Sequence, residues 1–274
     1  MVAFAANSLL CREALASGDI SASVFTLIRL ASGGVVLFIL VSLSTPRIRS
    51  GITAAGSWRS ALALFVYAAG FSFAYVSLGA ATGALILFGA VQLTMMLSAL
   101  WSGDRFSGRQ VLGFVLAAGG LFWFLLPGAR APSLSGSVLM LAAGVAWGLY
   151  SLWGRGERSP LLATCGNFVR SVPVAAALLL LTLSPAQLNP KGVLLALASG
   201  AVASGLGYAL WYRILPALRT TDAAMVQLSV PVIAAVGGWL FLGEVVSLRL
   251  SVAAFLVLGG IGLFILSKKG KPEG

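Results

Sequence analysis

The chain has 274 residues, of which 59% are hydrophobic and 9% charged, and its mean hydropathy is +1.01. Soluble domains carry about 25% charged residues and disordered chains combine low hydrophobicity with high net charge, so both classes are excluded. A net charge of +11 without a single histidine, spread thinly between apolar runs, marks cytoplasmic loops and gives no nucleic-acid surface.

The expected fold is an all-α polytopic membrane protein. A span needs about 20 apolar residues, and ten segments qualify: 1–17, 21–44, 58–78, 81–101, 109–127, 134–153, 160–183, 191–214, 221–242 and 249–267. The first lacks the basic n-region of a signal peptide. It carries Asn7 and Ser8, polar groups able to hydrogen-bond a substrate. Span two carries Arg29, a costly residue within hydrocarbon. A polar linker from Thr45 to Arg59 leads into span three, whose Tyr67, Phe71 and Tyr75 recur every four residues and share one helical face. Gln92 falls near the middle of span four, and Ser102-Gly103-Asp104-Arg105 is a charged turn. Pro127-Gly128 and Pro132 separate spans five and six, and span six contributes Trp147, Tyr150 and Ser151. After the charged turn 153–160, span seven holds Arg170. Span eight follows the break 184–191 and places Tyr208, Trp211 and Tyr212 together. Span nine has Gln227, a gate candidate near its cytoplasmic end, and Pro231, whose missing N–H frees a carbonyl and permits a hinge.

The aromatic rings offer an apolar body with a polar edge for stacking a substrate side chain; the competing reading is an interfacial belt. Arg29 and Arg170 read either as contacts for a substrate carboxylate or as structural links to backbone carbonyls. Cys11 and Cys165 lie in apolar stretches and read as packing residues without a disulfide. Without histidine there is no Ser-His-Asp or Cys-His catalysis, no HExxH zinc site and no His-ligated haem. No Walker A motif is present, and each lysine is peripheral. The expectation is no enzyme, no cofactor and no metal.

Shifted by 140 residues, the sequence matches itself. Gly103 aligns with Gly243, Asp104 with Glu244, Ser107 with Ser247, Arg109 with Arg249, and Gly119-Gly120 with Gly259-Gly260. Arg29 and Arg170 match at an offset of 141. Two repeats of five helices, 1–130 and 131–274, enter the membrane from opposite faces because five is odd. Such inverted repeats belong mainly to secondary transporters, with the site near the midplane between them. With the N-terminus inside, 12 Lys and Arg fall in cytoplasmic segments and 3 outside, so both termini are expected in the cytoplasm.

This arrangement resembles the drug/metabolite transporter superfamily and, within it, the ten-helix EamA family. The resemblance is carried by Phe4 to Arg12 in span one, Phe25 to Leu30 in span two, and the segment from Ser229-Val230-Pro231 through Gly243-Glu244. The sequence departs from the family pattern in having Val91-Gln92 where the second half has Pro231, and Gly-Asp in place of Gly-Glu in the first half. The resemblance implies export of amino acids and related metabolites, with aromatic amino acid exporters of the YddG type as the functional model. It implies a bacterial inner-membrane location and a small-molecule substrate. The seven acids are all peripheral, and only Glu13 and Asp222 approach a span. Uncoupled facilitated diffusion is therefore expected, with a proton-coupled drug or metabolite exporter as the alternative. A receptor or scaffold without transport is the alternative of another class. The expected partners are the bilayer and the substrate, and the expected state is a monomer or weak homodimer.

Overall fold

In hydrocarbon a chain satisfies its backbone groups internally, by helix or closed barrel. The computed structural model describes residues 1–44, 55–128, 131–155, 157–182, 188–214 and 225–267, and among these no strand forms. The helices are α1 Val2–Ala16, α2 Ala22–Ser44, α3 Trp58–Tyr75, α4 Ala80–Trp101, α5 Gly108–Leu125, α6 Leu134–Trp153 and α7 Pro160–Thr182. They continue with α8 Pro190–Ala198, a π-helical segment Ser199–Leu206 that runs on into α9 Gly207–Ile214, then α10 Ser229–Leu242 and α11 Leu248–Leu266. Asp222, the loop arginines Arg47, Arg49, Arg130 and Arg219, the C-terminal lysines, and the side chain of Tyr212 lie outside the described residues.

Among the described residues, eight helices are long and apolar enough to cross a membrane, counting Pro190–Trp211 as one and Met225–Leu242 as one. The two other expected spans fall short for separate reasons. α1 is only 15 residues long. α3 reaches 18 residues, but Arg59, two serines and two tyrosines lower its hydropathy.

Small polar residues set the helix starts. Ser57, Ser107, Ser133 and Ser247 each accept a hydrogen bond from the backbone N–H three residues on, the N-cap geometry. At Ser107 the Gln110 side chain closes a capping box. The repeated serines Ser107 and Ser247 are thus helix caps. Arg249, in the first turn of its helix, donates to the carbonyls of Trp123 and Leu126 at the C-terminal end of α5. A cation there complements the helix dipole.

The helices alternate in direction. One end of the bundle collects Arg12, Tyr75, Ala80, Lys191 and Glu244; the other collects Ser57, Tyr150 and Asn167. α5 and α11 cross antiparallel, since Phe106 meets Phe264 at one end and Arg249 meets Leu126 at the other. Their crossing is close because glycines meet there. A Cβ on Gly113 would stand 2.6 Å from the Gly260 carbonyl oxygen. α2 and α7 also run antiparallel, with Gly33 against Phe168 and Ser23 bonded to Thr182. Cys11 and Cys165 are buried free thiols.

Candidate functional site

The centre of the bundle holds a cluster of rings around one buried cation. Arg29 on α2 is 2% exposed. Its Nη2 donates to the Tyr67 hydroxyl at 2.9 Å and its Nε to the Ser204 hydroxyl at 3.3 Å. Its guanidinium carbon lies 5.1 Å from the Tyr67 ring centroid and 4.8 Å from that of Phe71, a cation–π arrangement. Nη1 is buried without a partner.

Trp147 on α6 stands between the other rings. It stacks on Tyr150 at 5.3 Å and on Tyr208 at 5.2 Å, each at 21° between planes, and approaches Tyr67 at 4.8 Å. Phe71 makes an edge contact with the fully buried Tyr75 at 4.7 Å. The i, i+4, i+8 spacing on α3 thus lines its three rings along one face, as its period requires. Tyr208 touches Phe4 and Phe168, and Trp211 meets Phe4 edge-on. Tyr75 therefore packs inside the bundle, away from an interfacial belt.

Asn7 is buried and accepts a bond from the Ser199 hydroxyl at 2.6 Å. The π segment thus supplies both Ser199 to Asn7 and Ser204 to Arg29. π-bulges occur frequently at functional sites, where the wider turn re-aims side chains. Gly200 between them lies against α2, where an added Cβ would stand 2.3 Å from the Arg29 carbonyl oxygen. Ser8 and Gln92 are buried, while Gln227 is half-buried.

The two sequence-matched arginines have different surroundings. Arg170 donates to the Ala55 carbonyl ahead of α3, at the Ser57 end. Arg29 stays among side chains at the centre. Pro231 stands in the first turn of α10, directly after a break at Leu228 that separates it from the turn at Met225–Gln227. Having no N–H, it cannot bond the Gln227 carbonyl, and the helix is interrupted just before it, at Leu228.

At the Ser57 end a cavity of about 270 Å³ opens between α3, α6 and α7. Ser57, Ser60, Tyr150, Trp153, Thr164 and Asn167 are among its lining residues. Asn167 Oδ1 accepts from the Ser57 backbone N–H, and its amide nitrogen donates to the Tyr150 hydroxyl. Arg59 lies over the Trp153 ring at 3.6 Å.

The Glu244 end is tied shut. Arg12 Nε donates to Glu244 Oε1 at 3.1 Å, and its Nη1 donates to the carbonyls of Tyr75 and Val76. Glu244 Oε2 accepts from the Ala80 N–H at 2.8 Å, the start of α4, so the carboxylate also faces a helix N-terminus. Gly243 makes this possible: its φ of +64° ends α10 in the left-handed region and turns Glu244 inward. Nearby, Lys191 pairs with Glu13, and the Asn189 side chain bonds Asp19. Asp104, the repeat match of Glu244, is exposed and makes no ion pair among the described residues.

Sequence reasoning missed Ser199, Ser204, Thr164, Asn167 and the Arg12–Glu244 pair. Small or peripheral polar residues in apolar runs give little signal. The one available clue was the Ser-Gly pairing repeated at 199–200 and 204–205, a close-packing pattern.

Residues 134–266 match the model of the EamA-like transporter family. An uncharacterized protein of Pseudomonas aeruginosa is 54% identical over 271 residues, covering 99% of this chain and 93% of that protein. The threonine/homoserine exporter RhtA of Escherichia coli is 33% identical over 168 residues, 57% of this chain and 54% of RhtA. A solved crystal structure superposes with a TM-score of 0.66 at 20% identity, covering 96% of this chain and 94% of the other, so the fold is shared.

Proposed function

The chain belongs to the EamA-like transporter family, and from that premise we propose that it is a secondary transporter that exports small metabolites, amino acids foremost, by alternating access. In this reading ten helices form two inverted repeats, 1–130 and 131–274, with the aromatic cluster between them. Support comes from the antiparallel meetings of α2 with α7 and of α5 with α11, each helix against its sequence match in the other half. The charge bias supports placing the Ser57 end and both termini on the cytoplasmic side, and the family supports a bacterial inner-membrane location.

The observation that carries the reading is the contrast between the two ends. A cavity opens at the Ser57 end as far as Tyr150, while Arg12, Glu244, Tyr75 and Ala80 close the other. Trp147 and Tyr208 lie between them. A carrier needs one end open and one shut, with the substrate site between, and this is the inward-facing half of such a cycle. Exchange of the two repeats' conformations would open the Glu244 end.

Aromatic or other apolar side chains are the first substrate choice, because Tyr67, Phe71, Trp147, Tyr150 and Tyr208 offer rings for stacking. The similarity to a threonine/homoserine exporter supports a small hydroxylated side chain as a second reading. Transport is uncoupled in this account. Glu13 and Glu244 are engaged in ion pairs at the bundle end, and proton-driven carriers place a titrating group in the pathway.

The test is expression in a bacterial host fed dipeptides containing phenylalanine, tryptophan or threonine. Amino acids are then measured inside the cells and in the medium. The expected result is lower internal and higher external accumulation of at least one of the three than in vector-bearing cells. Identical accumulation of all three would overturn the amino acid reading.

A further inference from the structure

The geometry points to Arg29 as the anchor for a substrate carboxylate, with the unpartnered Nη1 as the donor that receives it and Trp147 as the side chain that covers it. The inference rests on the exporter reading above and names the chemical handle by which that site holds its cargo.

The Arg29 guanidinium is buried, and its polar partners are neutral hydroxyls, Tyr67 and Ser204. The ion pairs among the described residues, Arg12 with Glu244 and Lys191 with Glu13, lie at the Glu244 end of the bundle. A buried cation without an anion is costly, and such groups are retained where a ligand or partner completes them. Repeat symmetry sharpens the point. Arg170 reaches out to the Ala55 carbonyl, whereas Arg29 keeps one nitrogen unused inside the protein.

The shape of the site fits a carboxylate. Nη2 is already committed to Tyr67 and Nε to Ser204, which fixes the guanidinium plane. Nη1 then presents N–H donors in a fixed direction, and charge-assisted bonds from a guanidinium to a carboxylate are among the strong ones. The Tyr67 hydroxyl accepts from Arg29 and keeps its own proton to donate to the second carboxylate oxygen. Trp147, which lies against Tyr67 and stacks on Tyr208, brings further aromatic surface to the cluster, suited to an ammonium group or an apolar side chain.

The path from the cavity is also built. Tyr150 lines the cavity, Trp147 stacks on Tyr150, Tyr67 lies against Trp147, and Tyr67 bonds Arg29. Trp147 therefore separates the cavity from the cation. A rotation of this half-buried ring admits the carboxylate.

The test is binding to the purified full chain in lipid nanodiscs, read by the thermal unfolding midpoint and by tryptophan fluorescence. The probes are phenylalanine, tryptophan, threonine and homoserine, the decarboxylated amine of each, and the ammonium-free acids 3-phenylpropionate and lactate. The expected result is that at least one acid binds and that its carboxylate-free counterpart binds about tenfold more weakly or worse. Arg29→Gln loses this preference and Arg29→Lys retains part of it. Equal binding of an amino acid and its amine to the unaltered protein would overturn the proposal, and that comparison needs no variant to fold. Binding of ammonium-free acids alone would overturn the amino acid reading and leave the Arg29 anchor standing. Binding of no acid of either kind would overturn the anchor.

Discussion

Arg12 and Glu244 show how much one pair of side chains does at the closed end. The carboxylate binds a guanidinium from α1 and caps α4, while the same guanidinium holds the last carbonyls of α3. Four helices are thereby joined, since Glu244 follows α10 across the single residue Gly243. The ion pair is partly exposed, with side chains 23% and 21% accessible, and such pairs contribute about 1 kcal/mol or less. Glu244→Gln keeps an acceptor for Ala80 and removes the charge. It should raise the population opened at this end by about fivefold or less. Maleimide labelling of a cysteine introduced at the buried Ala84, one turn below Ala80, reads this in a chain with Cys11 and Cys165 replaced by alanine. Faster labelling is expected, and an unchanged rate would mean that the pair does not hold the end shut. The sequence places Arg12 in the first span and Glu244 among the peripheral acids, but their pairing joins positions 232 residues apart. Local pattern carries no information on such a contact. Arg29 and Arg170 make the same point, because equal placement in two repeats becomes a free nitrogen in one and a carbonyl contact in the other.

Among the elements, apolar run length was enough to find the helices, because hydrocarbon leaves the backbone few alternatives. Their irregularities were less visible. Pro231 signals a break, and one occurs at Leu228. The π segment at Ser199–Leu206 has no such marker, since small residues accept either helix and the choice depends on what packs alongside. The paired glycines are readable as close contacts, but not which of each pair makes it. In the structure a Cβ on Gly120 would stand 2.6 Å from Leu256 Cβ, and one on Gly260 would stand 2.6 Å from the Gly113 oxygen. Gly119 and Gly259 have nothing within 4 Å. Gly120→Ala and Gly260→Ala should therefore destabilise the protein by about 1–3 kcal/mol through overpacking. Gly119→Ala and Gly259→Ala should be neutral or slightly stabilising, since Ala favours helix. Thermal midpoints of the four variants in one detergent check the contrast. Equal losses in all four would show that the α5–α11 crossing is not the close contact described.

For the molecule as a whole, class and orientation bias come from composition and charge, and the 140-residue self-match suggests the pairing of halves. Which end is shut is a property of packing. It depends on the Arg12–Glu244 tie at one end and the Asn167-lined cavity at the other. The ring-lined cation lies between these two ends. The most direct test is counterflow in liposomes carrying the pure protein, following labelled phenylalanine, tryptophan, threonine and homoserine with the pH gradient present and then collapsed. The account predicts saturable, substrate-driven uptake of at least one amino acid that persists when the gradient is collapsed. Uptake no greater than in protein-free vesicles for all four, or uptake that disappears with the gradient, would contradict it.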